Sequence, residues 1–484
     1  MTRRRTNLRL VLLSVAPNAA WAHAFGVTYA LPIPFWMYVY GCAATLVITF
    51  CMTAFSAHRS TKRACADELY LGVCARGAAL WGLRLLATGS LGCLFLTIGI
   101  GLITHSRGDN ALTLILFWVI FLLAFGYATA LFGDLYALIN PWKLLIVGLE
   151  RVGLNFSKAR VHYPSRLACW PAFAAYAALI WVELFLGPTP FMLSILLLVY
   201  SGLTFTGAAL FGKDSWFSQA DFFSLFFRLL GALAPIKYNW HPTNSRWQIR
   251  LQPPFTEILT TPPRDISIVA FVFFMLASTT YDGIHDTVWW AELFWASSLR
   301  LVQPIWGDDL RASVQDWLLS LYLAYRQLGL LLFPFLYMGL YVLLLQWTQA
   351  LTKTSISLRT LVLNFCYPLI PVALAYNFAH NYTFLITGSR SLLGSAAEIF
   401  HSHWNEAGRA GMPGELPVSM SFVWHTELAA LLAGHMASVC LTHGVAVRLF
   451  PSKRTALISE LPLLLLTIIY TTIGLWTLSL PVAK

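Results

Sequence analysis

Ten stretches of mostly apolar residues leave this chain little choice of fold. They lie roughly at 33–55, 78–103, 111–132, 167–186, 190–210, 266–281, 326–347, 357–378, 421–447 and 461–480. A run of about twenty such residues crosses the hydrocarbon of a bilayer as an α-helix, which bonds its own backbone groups where no water can. The sixth run is the shortest, and FVFFMLAS is its firm centre. Only 11% of the residues are charged and 58% are hydrophobic, against roughly 25% charged in soluble domains. The 484 residues therefore read as one all-α polytopic membrane domain, not as several soluble units.

The N-terminus follows a different pattern. Arg3, Arg4 and Arg5 precede the short apolar run LRLVLLSVA, then Pro17, Asn18 and the triplet Ala20-Trp21-Ala22. A basic region, a run too short to span and a small-x-small site are the ordered parts of a cleavable signal peptide, here residues 1–22. Cleavage after Ala22 starts the mature chain, 23–484, at His23, whose α-amine and imidazole could clasp a metal together.

The basic residues orient the bundle. With the mature N-terminus outside, the inner segments hold 20 Arg and Lys and the outer segments seven. That bias predicts an inner-membrane protein with both termini periplasmic. It also accounts for the net charge of +11 without a nucleic-acid partner. The lipid bilayer is the expected partner.

Outside the spans, residues 215–235 carry apolar positions at helical spacing and few charges. They are expected to form a cytoplasmic interfacial helix, followed by irregular loop to Pro263. Two outer loops, about 282–325 and 381–420, contain a tryptophan cluster and the turn-rich GRAGMPGELP respectively. The eight cysteines form no C-x-x-C pair and none lies in an outer loop, so no disulfide framework is implied. P-loop, H-E-x-x-H and nucleophile-elbow motifs are missing as well.

Histidine carries what chemistry can be read. Of twelve, seven (His23, His105, His285, His380, His401, His403 and His425) fall at or beyond outer span ends, while His435 lies deep in the ninth span. A rise of 1.5 Å per residue puts His435 about 15 Å below His425. It borders the small-residue line Ala430, Gly434, Ser438, which marks close helix packing. An ionisable residue at that depth is costly and marks function or an internal hydrogen bond. At the outer level, TTYDGIHDT brings Asp282, His285 and Asp286 together, and AYNFAHNY brings Tyr376 and His380 one helical turn apart. A carboxylate with imidazoles at one depth suits a divalent transition metal such as zinc, copper or manganese. The candidate ligands are His23, Asp282, His380 and His425, and the candidate catalytic residues are Asp282 and His435.

The blocks HAFGVTYALPIPFWMYVYG, GDLYALINPWK, LFGKDSWFSQADFFSLFFRLLGALAP, YDGIHDT, AYNFAHNY, GHMASVCLTHGVAVRLFP and ELPLLLLTIIYTTIGLW resemble, in order, those of a bacterial membrane family labelled fenitrothion hydrolase. The resemblance runs from His23 to about Thr477. It implies hydrolysis of a small lipophilic phosphotriester, with the aryl ester bond cleaved to a thiophosphate and a nitrophenol. A bound metal that lowers the pKa of water could supply the nucleophile, with Asp282 as ligand or base. Two other classes fit the residues: a permease without catalysis, and a His-ligated metal or electron-transfer protein.

The topology is testable by fusion. A reporter active only in the periplasm is expected to be active after Lys484 and silent after Lys453; activity after Lys453 would sink the ten-crossing count.

Overall fold

The computed structural model of the chain describes residues 33–56, 69–73, 78–103, 112–241, 246–306, 312–400 and 419–480. The expected signal peptide and His23 lie outside the described residues, as do His105, His401 and His403. The principal helices are α1 (Phe35–Ser56), α2 (Ala78–Ile103), α3 (Leu112–Phe132), α4 (Trp170–Leu186), α5 (Pro190–Phe211), α6 (Phe222–Gly231), α7 (Ile266–His285), α8 (Val288–Trp306), α9 (Ala312–Thr352), α10 (Ile370–Phe400), α11 (Met420–Leu449) and α12 (Lys453–Ser479). Among the described residues nine helical stretches are long and apolar enough to cross a membrane, and α4, where the fourth run was expected, is a shorter apolar helix. The chain is an all-α membrane protein.

Local chemistry sets where the helices begin. Thr189 caps α5 by accepting the Met192 N–H at 3.2 Å, with Pro190 in the first turn where its missing N–H costs nothing. Asp265, Ser419 and Ser452 cap α7, α11 and α12 in the same way. In lipid these caps count for more than in water, because an unbonded N–H there has no solvent to turn to.

α7 sits at the centre. Sixteen of its 20 residues are buried, including the run Val269 to Tyr281. A helix apolar on all sides has to be enclosed by others, and α4, α9, α10 and α12 surround it. The closest helix approach expected from sequence also appears. A Cβ added at Gly434 of α11 would stand 2.3 Å from Ala375 Cβ and 2.6 Å from the Pro371 carbonyl oxygen on α10. Only a missing side chain lets these two backbones meet.

Three segments depart from the sequence reading. The stretch expected to be irregular loop contains strands β2 (Ile236–His241) and β3 (Arg246–Leu251), which pair antiparallel with Ile236 opposite Leu251 and Tyr238 opposite Ile249. Strand β1 (Leu69–Val73) adds to β3, giving the order β1-β3-β2 and joining two segments far apart in sequence. The alternation in IKYNWH is the period-two signal of a strand, and it was outweighed by the tryptophans and prolines around it.

The second departure is α6. Phe222, Phe223, Leu225, Phe227, Leu229 and Leu230 are all buried, so the helix is enclosed in protein, whereas a helix lying on the leaflet would keep one face for lipid. The aromatic rings of α3 and the short helix Tyr136–Ile139 close over it: Phe121 and Tyr136 pack on Phe223 and Phe227.

Third, the segment 282–325, expected as an outer loop, is mostly a helical hairpin. α9 has 41 residues, about 60 Å at 1.5 Å per residue, roughly twice the hydrocarbon thickness. Its first half pairs with α8 over Ala291, Trp295, Val302, Leu318 and Tyr322. Likewise α10 continues to Phe400, beyond the expected end of its span.

Substituting Gly434 with Ala is expected to lower stability by about 1–3 kcal/mol through overpacking, read as a lower unfolding midpoint in detergent. Gly89→Ala on α2, where nothing lies within 4 Å of the added methyl, is the neutral control. Equal midpoints for the two variants would contradict the close α10–α11 approach.

Candidate functional site

At the end of the bundle away from the sheet, the last turn of α7 presents Tyr281, Asp282 and His285, with Asp286 as the residue that closes the helix. Between them Gly283 leaves space. A Cβ there would lie 3.3 Å from Tyr376 Oη, 3.5 Å from Thr477 Cβ and 3.7 Å from His380 Cε1. The α7 backbone therefore runs close against both α10 and α12, and this brings a carboxylate and an imidazole separated by 98 residues into contact. His380 Nε2–H donates to Asp282 Oδ2 at 2.7 Å. The imidazole is almost wholly buried, at 6% exposure, while Asp282 keeps 17% and so stays within reach of water.

A second ionic group lies beside the first. Arg326 of α9 donates to Asp286 Oδ1, and its guanidinium stands over the Phe185 ring. The Tyr281 hydroxyl donates to the Arg326 carbonyl, tying α7 to α9 at the same level. His285 Nδ1–H donates to the Asp282 carbonyl at 2.9 Å, which aims Nε2 at Asp286 Oδ2, 3.4 Å away. This local bond orients the ring without help from another helix.

Two further carboxylates face the pair. Glu183 lies in the π-helical end of α4, Val182–Leu186, close enough to Asp282 to feel its charge. Glu427 of α11 acts on His380. One turn further into the bundle from His380, Asn377 accepts the Tyr127 hydroxyl at 2.9 Å. Together with Tyr176, Phe226 and Met275 these residues line a cavity of about 20 Å³, space for one water molecule. Tyr376 and Thr477 bond to one another between α10 and α12.

Of the residues singled out from sequence, Asp282 and His380 meet, and His285 and Asp286 join them. His425 does not. It is exposed, and its Nδ1–H donates back to the Ser421 carbonyl at 2.6 Å within its own helix. His435 is buried far from the pair, its Nδ1–H donating to the Leu431 carbonyl at 2.8 Å. Among the described residues no three His, Cys, Asp or Glu side chains converge as metal ligands. Of the expected ligands His23, Asp282, His380 and His425, Asp282 and His380 meet, His425 stands apart from them, and His23 lies outside the described residues.

Three participants escaped the sequence reading. Arg326 was counted only as an outer-segment charge, and Glu427 lay unnoticed beside His425. Glu183 had the clearest signal, a carboxylate inside the apolar WVELFLG, where an ionisable group marks a site by its cost alone.

Comparison with known protein families, characterised proteins and solved structures finds no match to the chain. The resemblance to the fenitrothion hydrolase family therefore rests on the sequence blocks by themselves.

Removing one partner of a buried pair strands the other. His380→Leu is expected to destabilise by about 3–5 kcal/mol because it leaves the Asp282 carboxylate without its imidazole. Adding Asp282→Asn should recover part of that loss, with a coupling of about 0.5–3 kcal/mol in the double-mutant cycle. Additive losses in the unfolding free energies would show that the two side chains do not interact.

Proposed function

We propose that this chain is a membrane-bound hydrolase of lipophilic phosphotriesters of the fenitrothion type, working at the Asp282 end of the bundle. The observation that carries the reading is the Asp282–His380 hydrogen bond, in which a carboxylate holds a buried imidazole while its own side chain keeps 17% exposure. A carboxylate in this position fixes the orientation of the ring and stabilises the imidazolium that forms when the ring takes a proton. His380 is then the general base and Asp282 its partner.

In the reaction, a water gives a proton to His380 as its oxygen attacks phosphorus, and the bond from phosphorus to the aryl oxygen breaks. The nitrophenolate leaves with the electron pair, and the proton held on His380 passes to solvent past Asp282. Arg326 and Asp286 neutralise each other beside the pair, so they add little net field there.

Location supports the substrate class. A neutral aryl triester partitions into the bilayer and reaches the bundle from its lipid face, where Trp289 of α8 stands exposed. The excess of Arg and Lys in the other set of segments places the Asp282 end on the periplasmic side of an inner membrane, with both termini on that side.

Nitrophenol release from fenitrothion by the purified full chain in lipid nanodiscs tests the reading. Asp282→Asn and His380→Gln are each expected to lower kcat/KM by about 10²–10⁴-fold. His425→Gln, on the exposed face of α11, is expected to keep the wild-type rate. No hydrolysis by the wild-type chain, or undiminished rates in Asp282→Asn and His380→Gln, would sink the proposal.

A further inference from the structure

Polar atoms on α11 point to a second function in the other half of the bundle. Among the described residues His435 Nε2, Ser438 Oγ and His443 Nε2 are buried without a hydrogen-bond partner in the protein. His435 and Ser438 are 1% and 0% exposed. They lie within about 140° of each other around the helix, on a stretch of about 12 Å. Thr442, also buried, lies between Ser438 and His443 on that side. Three such atoms on one side of one helix are expensive unless something bonds them. At that separation no single ion can touch both imidazoles, whereas a file of water molecules can bond all three atoms.

The ends of this stretch are acid–base groups. His443 Nδ1–H donates to Glu460 of α12 at 3.0 and 3.1 Å, and that carboxyl is 2% exposed. This pair lies towards the sheet end, where Arg448 of the same helix bonds the Leu259 carbonyl. In the middle, His435 uses Nδ1–H on Leu431, which leaves Nε2 as an acceptor aimed into the polar side of the helix. Beyond it, two turns on, α11 carries Glu427, which faces His380 of α10 and through it Asp282 of α7. On α1 the neighbouring titratable group is Cys42, packed on Leu431.

We infer that the buried side of α11 lines a hydrated proton path across the bundle, running from the Glu460–His443 pair past Ser438 to His435 and on towards the Asp282 end. Imidazoles suit this work: His443 takes a proton on Nε2 and gives one from Nδ1 to Glu460, and His435, whose Nδ1–H is held by the Leu431 carbonyl, takes up and returns the proton at Nε2. A serine hydroxyl both donates and accepts, so Ser438 continues the chain of water molecules between them. The transported species is the proton alone, and no bond other than O–H and N–H is made or broken. This path stands whether or not the far pair hydrolyses esters, since its readout is charge movement and not nitrophenol.

The full chain is reconstituted in liposomes of phosphatidylethanolamine and phosphatidylglycerol with a pH-sensitive dye inside. A potassium gradient with valinomycin supplies the driving potential. The wild-type chain is expected to change the internal pH faster than protein-free vesicles. His435→Gln, which keeps a polar side chain but cannot relay a proton at neutral pH, and Ser438→Val, which blocks the file with a methyl, are expected to lose that flux. Hydration is checked separately in case either variant folds poorly. A Ser438→Cys thiol should react with aqueous silver ion, whereas Cys440, exposed on the outer face of the same helix, should not. Wild-type flux no greater than in protein-free vesicles, wild-type flux in both variants, or an inert Ser438→Cys thiol would each overturn the path.

Discussion

The enclosure of α7 is the constraint on which the rest of the structure depends. Its run from Val269 to Tyr281 has no polar face to give to water, so four helices must cover it. That requirement sets the position of the neighbours, and the neighbours set the chemistry at the helix end. Gly283 sits where α10 and α12 close over α7, and the narrow gap it leaves presses Asp282 against His380. A side chain there would press on Tyr376, Thr477 and His380.

Ionisable groups in this bundle are few, and the structure collects them. Asp282, His285, Asp286, Arg326 and His380 gather in one layer, at the end of α7 and partway along α9 and α10, with Glu183 and Glu427 facing them. In a low-dielectric surround each charge must find a partner or water, so clustering at an edge that water reaches is the least costly arrangement. The same rule explains the His443–Glu460 pair at the other end. His435 stands apart from both, with one nitrogen bonded along its helix and the other aimed inward, and it is the depth of that ring that links the two ends.

How much could be seen beforehand differed by type of signal. The long apolar runs were legible because a helix in lipid needs nothing beyond its own residues to be recognised. The common level of Asp282 and His380 was legible too, since span ends can be counted. Their contact was not, because 98 residues separate them and nothing in either segment states which helices are neighbours. The β2–β3 hairpin was missed although its alternation is present, because alternation over six residues is weak beside a field of prolines and tryptophans. For α6 the amphipathic pattern was real, but pattern alone does not tell a lipid-facing side from one covered by α3 and α4 in the core. His425 and His380 look alike in sequence, and only the rotation of α11 and α10 within the bundle turned one outward and the other inward.

By itself the sequence determined that this chain is a helical membrane protein, where most of its apolar runs become helices, and that Gly434 belongs to a close crossing. These follow from interactions a residue makes with the bilayer or with its own helix, and such interactions are written in composition and spacing. Tertiary structure decided which carboxylate meets which imidazole, that two distant segments join in one sheet, that α9 rises beyond its span to pair with α8, and that His435, Ser438 and His443 share a buried side. Those outcomes depend on helix rotation and neighbour choice, which are set by the fit of whole surfaces, and no local pattern encodes that fit.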